Sequence, residues 1–206
     1  MRGRQMTDWE LKGKVSLLVL DMQEDIVGEG GKGEVAGFPQ ACKEAGIIPR
    51  IKTLLKAFRE NKLPVIYVVA EFNPLVPMPV YGAFYEYMRT ARPNAPGSKG
   101  TQIIPELSPV WGEPVVRKWN VGIFSHSNLD EVLKYYGVET LVLVGVASHL
   151  VVHMASLQAT DLGYSVIVPK DAVASPDKEA HEFVLNKFLP LFSLVTTTQE
   201  VLAKFS

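Results

Sequence analysis

Near-continuous apolar runs, not alternating ones, mark the strands of this chain. Val15 to Leu20 (VSLLVL) ends abruptly at Asp21, and Pro64 to Ala70 (PVIYVVA) repeats the pattern. Thr140 to Val144 and Ser165 to Val168 follow, with shorter pieces at Val115 to Lys118 and Leu194 to Thr197. Runs of this kind fit strands buried on both faces of a parallel sheet. Between them the period changes. Ile47, Ile48, Ile51, Leu54, Leu55 and Phe58 recur at helical spacing and predict a helix from about Ala41 to Asn61. A second helix is expected over Leu129 to Tyr136, capped by Ser127 or Asn128. A third spans His149 to Leu162 and closes at Gly163, where a left-handed residue is cheap. Ser175-Pro176-Asp177 opens another, with serine as cap, and Thr198 to Phe205 forms the last. Glu24 to Pro39 is glycine-rich and reads as loop. Phe72 to Gly112 holds half of the prolines and reads as a long irregular segment, either a pocket wall or a surface excursion.

Strands alternating with helices predict one domain over residues 1–206. Its fold class is α/β, a three-layer α/β/α sandwich around a doubly wound parallel sheet. Ligands of such sheets bind beyond the carboxyl ends of the strands. That rule selects Asp21, Glu71, Lys118 and the turn Gly145 to Val151.

Composition removes several classes of function. Of the 206 residues, 21 are Lys or Arg and 22 are Asp or Glu, a net charge of −1 that argues against nucleic acid or a polybasic membrane surface as partner. No apolar stretch is long enough to span a membrane. Met1 to Asp8 lacks the apolar core of a leader peptide, so a cytoplasmic location is expected. With one cysteine, Cys42, no intramolecular disulfide can form.

Each candidate carries a functional and a plain reading. Asp21, behind a run of apolar residues, is either a desolvated carboxylate suited to proton transfer or a loop cap. Lys118 either holds a substrate carboxylate and tunes Asp21, or snorkels at the surface. The N–H groups after Gly145 either bind an anion or developing oxyanion, or form an ordinary strand-to-helix connection. His149 and His153 share a helix face, but no third ligand accompanies them, so no metal is expected. The glycines at 28, 30, 31 and 33 follow no phosphate-loop pattern. No cofactor is expected.

Several segments together resemble the isochorismatase-like, or cysteine hydrolase, superfamily. Leu17 to Gln23 is similar to its first-strand "LLVxDMQ" motif, and Val115 to Trp119 with Phe124 to its lysine strand. Leu141 to Val152, continuing through Ala159 to Tyr164, resembles its "LVVxGVATxxCVxxTAxDAxDLGY" block. Val168 to Ala172 matches its "V-x-D-A" strand. The likeness runs from about Lys14 to Thr198. It implies a six-stranded parallel sheet, a homo-oligomer (dimer or tetramer), and a non-proline cis peptide at Val146–Ala147. It also implies an Asp–Lys–Cys triad, and here the chain departs: the cysteine position aligns with Val151. A branch of the family, the true isochorismatases, also lacks the cysteine. Those enzymes hydrolyse a vinyl ether by protonating the enol carbon from the aspartate. They share the histidine at His149 and the Lys118-Trp119 pair, but carry glutamine where this chain has Glu71.

The resemblance thus implies a hydrolase acting on a small polar substrate by acid–base chemistry. Asp21, Lys118 and Glu71 would be catalytic, with the Glu71 charge raising the pKa of Asp21. Gln23, Trp119, Phe124, Tyr81, Tyr85, Ala147, His149 and Val151 would bind substrate. A hydratase, lyase or isomerase on the same scaffold, or an inactive small-molecule binder, are the alternatives.

Overall fold

A computed structural model describes residues 9–73 and 75–205. Met1 to Asp8, where no leader peptide is expected, lies outside them. Seven strands form one parallel sheet: β1 (Lys14–Leu20), β2 (Val65–Ala70), β3 (Val115–Lys118), β4 (Val138–Val146), β5 (Ser165–Pro169), β6 (Val173–Ala174) and β7 (Leu194–Thr196). The order is β3-β2-β1-β4-β5-β7, with β6 alongside the end of β4. The two-residue β6 takes the count one beyond the six expected. It arises because Val173 and Ala174 run beside Gly145 and Val146 at the carboxyl end of β4.

Helices cover both faces: α1 (Glu24–Val27), α2 (Phe38–Ala45), α3 (Ile47–Glu60), α4 (Ala83–Ala91), α5 (Leu129–Tyr136), α6 (His153–Asp161), α7 (Lys178–Phe183), α8 (Leu189–Phe192) and α9 (Thr198–Leu202). The strand period of two divides the core. Val15, Leu17 and Val19 pack with Ile51, Leu54 and Phe58 of α3 on one face. Leu18 and Leu20 pack with Leu133 of α5 and Ala155 of α6 on the other.

Several boundaries differ from expectation. The Ala41–Asn61 helix is two helices, broken at Gly46 with φ +61°. The Glu24–Pro39 loop contains α1 and a 3-10 turn at Lys32–Ala36. Phe72 to Gly112 is not irregular throughout, since it carries α4 and 3-10 turns at Lys99–Thr101 and Pro105–Leu107. The α7 cap is Asp177, whose Oδ1 accepts from the Ala180 N–H at 2.9 Å. Ser175, the expected cap, instead accepts the Asp177 N–H. The His149–Leu162 helix opens with a π-turn over Ser148–Val152. Among the described residues no helix is long and apolar enough to cross a membrane.

The chain runs from β1 outward through β2 to β3, then crosses back to place β4 against the other side of β1. The switch point is therefore the gap between the carboxyl ends of β1 and β4, where a crevice opens in such sheets. Asp21 and the Gly145–Val151 turn meet there.

Candidate active site

Asp21 leaves β1 with φ +54°, a left-handed conformation that aspartate tolerates better than most residues. Its N–H donates to the Val68 carbonyl at 2.9 Å, and its carbonyl accepts the Gln23 N–H at 2.9 Å. The residue is 4% exposed. Its Oδ2 accepts from Lys118 Nζ at 3.0 Å, and the same ammonium donates to the Asn120 carbonyl at 3.0 Å. Oδ1 is buried and has no partner among the described residues. Burial raises the pKa of Asp21, and the adjacent Lys118 charge only partly opposes it. The arrangement is a carboxyl anchored at one oxygen, with the other left for a proton and a substrate.

Alternation explains why Lys118 points inward. In β3 Val116 and Lys118 are buried whereas Val115 and Arg117 are exposed. Ala70 pairs with Lys118 in register, and both border a cavity of about 290 Å³ together with Asp21. Phe72, two positions past Ala70, borders it as well. Glu71 lies between them and turns the other way, where its Oε2 accepts from Arg117 Nε at 3.1 Å. The expected influence of Glu71 on Asp21 is therefore absent, and burial raises the Asp21 pKa instead. Glu71→Gln is expected to change kcat/KM by less than about threefold, because a partly exposed ion pair is worth ~1 kcal/mol or less. A loss of the size expected for Asp21 would return Glu71 to the machinery.

Gln23 is fully buried but is not part of the cavity wall. Its Oε1 accepts the Ala70 N–H at 2.7 Å and its Nε2 donates to the Ala70 carbonyl at 2.8 Å. The amide thus continues the β1–β2 ladder and positions the strand ends. His149 Nδ1 pairs with Ser175 Oγ at 2.7 Å, behind the turn rather than in the cavity. Burial lowers its pKa. A parallel bond joins Ser148 Oγ to His181 Nδ1 at 2.8 Å, tying α7 to the turn.

The aromatic wall is also redistributed. Tyr81 is 89% exposed. Trp119 follows Lys118 and alternates outward, and Phe124 stacks on Tyr164 with centroids 6.0 Å apart. Tyr85 sits edge-on to Phe84 on α4. The positions that do border the cavity are Phe84, Tyr87 and Met88, spaced i, i+3, i+4 on that helix. Ile26 and Phe38 close another side, with Val146, Ala147, Leu150 and Val151 from the β4 turn. Of the expected binding residues, Ala147 and Val151 are in place, and the Val146–Ala147 peptide is cis as the resemblance implies. Leu150 and Val152 direct their N–H groups at the Ala147 carbonyl, each at 3.2 Å. Phe72, Phe84, Tyr87, Met88, Pro93 and Asn94 therefore wall the cavity of their own chain. This segment is pinned by the Asn94 N–H donating to Asp25 Oδ2 at 2.7 Å.

No cysteine, serine or threonine borders the cavity among the described residues. Cys42 packs in the core on α2, with its thiol pushed up to about 12 by burial. Among the described residues no group of three or more His, Cys, Asp or Glu could hold a metal ion.

The isochorismatase domain family matches residues 15–200. A secreted isochorismatase effector of Verticillium dahliae is 33% identical over 129 residues, 63% of this chain and 60% of that protein. A ureidoacrylate amidohydrolase of Rhizobium rhizogenes is 31% identical over 211 residues, covering 94% of this chain and 84% of the relative. The crystal structure of an isochorismatase-like hydrolase from Alkaliphilus metalliredigens superposes with a TM-score of 0.78 at 27% identity. That superposition covers 94% of this chain and 100% of the other.

Proposed function

The chain belongs to the isochorismatase family, and from that premise we propose that it is a hydrolase working without a thiol nucleophile, with Asp21 as its proton donor. The observation that carries the reading is the pairing of an unpartnered, buried Asp21 Oδ1 with a cavity wall that, among the described residues, offers no cysteine, serine or threonine. Val151 stands where the family resemblance places the attacking cysteine, and a valine cannot form a covalent intermediate. A carboxyl whose pKa is raised by burial holds a proton further toward neutral pH, as a general acid requires.

The chemistry that fits is hydrolysis of a vinyl ether. Asp21 Oδ1–H protonates the terminal alkene carbon, and the ether oxygen shares the resulting positive charge as an oxocarbenium ion. The Asp21 carboxylate then formed is held by Lys118 and faces that cation. Water adds to the cationic carbon, loses a proton back to Asp21, and the hemiacetal or hemiketal collapses to a carbonyl compound and an alcohol. Amide hydrolysis, the activity named for the Rhizobium relative, needs a nucleophile to attack the carbonyl carbon, and the described cavity wall carries no cysteine, serine or threonine to do so.

Product analysis in D2O tests the proposal. A vinyl ether turned over by this route yields a carbonyl product with one deuterium on the former alkene carbon at early times. Iodoacetamide is expected to leave the rate unchanged, because Cys42 is buried and its thiol resists ionisation. Inactivation by alkylation would overturn the thiol-free mechanism. Addition of water without fragmentation would move the protein to the hydratases.

A further inference from the structure

Three side chains of the acidic and basic residue types border the cavity among the described residues: Asp21, Asp25 and Lys118. Lys118 is the only cation of the three. It is 1% exposed, and its ammonium already serves Asp21 Oδ2 and the Asn120 carbonyl. The cavity therefore carries a net charge of zero when Asp21 is protonated and −1 when it is not. Among the described residues no arginine or second lysine stands on its wall to receive an anion. The remainder is mostly hydrocarbon, led by Phe72, Phe84, Met88, Leu150 and Val121, with Asn94 and the Tyr87 hydroxyl as the polar exceptions. At about 290 Å³ the space is at the small end of ligand pockets, which run from about 300 to 1,000 Å³.

We propose that this site takes an uncharged, largely hydrophobic molecule of about ring size, with its one reactive polar group set against Asp21 Oδ1, and rejects small carboxylates. The inference rests on the reading of this cavity as the hydrolytic site. It replaces the polar substrate expected from the sequence with an apolar one. A carboxylate entering here would lose its hydration to hydrocarbon walls without gaining a free cation, and would approach Asp25 as a like charge. A hydrocarbon ring loses nothing of that kind and gains from leaving water. The same charge balance favours the cationic transition state of vinyl-ether hydrolysis, since Asp25 and the newly ionised Asp21 both face it.

Phenyl vinyl ether and 4-(vinyloxy)benzoate, which differ by one carboxylate, separate substrate class from chemistry. Binding of each is measured by calorimetry on the Asp21→Asn protein, and turnover is read separately on the unaltered protein as release of the phenol. The neutral ether is expected to bind at least ~10-fold more tightly, a difference of about 1.4 kcal/mol. Met88→Lys, which places a free cation on the wall, is expected to reverse the preference. Neutral preference with phenol release supports both proposals. Neutral preference without release supports the substrate class and overturns the chemistry. Equal or tighter binding of the carboxylate, or no binding of the neutral ether at its solubility limit, overturns the substrate class whatever the turnover. If Met88→Lys does not fold, the comparison of the two ethers still decides.

Discussion

Asp21→Asn is expected to lower kcat/KM by at least ~10²-fold, equivalent to about 2.7 kcal/mol of transition-state stabilisation. The substitution is nearly isosteric, and the amide oxygen can still accept from Lys118 Nζ, which lies 3.0 Å from Oδ2 in the parent. What it removes is the transferable proton. A pH–rate profile adds a readout that a merely structural role would not move. Because burial raises the pKa of Asp21 above its usual 3.8, the acid form persists to higher pH, and the parent rate falls as pH rises through that raised value. The residual activity of the Asn variant lacks this alkaline limb. The same shift has a sign for stability: the native state binds the proton more tightly than the unfolded chain. The contribution of Asp21 to stability is therefore largest below its unfolded pKa and is lost as pH rises through the folded one. A fully active Asn variant would remove Asp21 from the mechanism.

Gly145→Ala is expected to destabilise the fold by about 3 kcal/mol or more. Gly145 has φ +112°, and a Cβ there would collide with the main-chain oxygen of Leu20. Backbone strain and steric overpacking each cost about 1–3 kcal/mol. The oxygen belongs to the β1–β4 pair, in which Leu20 sits opposite Gly145, so no side-chain rotation can relieve the contact. For a chain of this size the melting temperature should fall by about 6–12 °C. Activity should fall with it, since β1 and β4 deliver Asp21 and Val151 to the same cavity. An unchanged melting temperature would show that the two strands can part at little cost.

The readings that survived best depend on unbroken patterns. The apolar runs of β1, β2 and β4 are buried along nearly their whole length, so their placement needs no knowledge of partners. Asp21 and Lys118 followed from the rule that ligands of such sheets bind beyond the carboxyl ends of the strands, Asp21 closing β1 and Lys118 closing the shorter, half-buried β3. Three of the expected site residues lie off the cavity wall for one physical reason. Glu71, Trp119 and Tyr85 each lie one residue from a cavity residue (Ala70 and Phe72, Lys118, Phe84), and one step along a strand or helix turns a side chain away. The 72–112 segment hid its helix behind prolines and a glycine. Phe84, Tyr87 and Met88 have helical spacing, but only their meeting with Phe72 and Leu150 marks them as a wall.

The sequence by itself determined the parallel α/β architecture, the placement of Asp21 and Lys118 at strand ends, and the presence of valine rather than cysteine at position 151. Apolar period and residue identity are local properties of the chain. Tertiary structure alone decided that Oδ1 of Asp21 stays free while Oδ2 is held. It also decided that Gln23 braces two strands, that Glu71 answers to Arg117, and that the cavity wall is mostly hydrocarbon, with no cation beyond Lys118 among the described residues. These outcomes depend on which side chains from distant segments come within hydrogen-bond reach, a distance that folding sets and spacing along the chain does not encode.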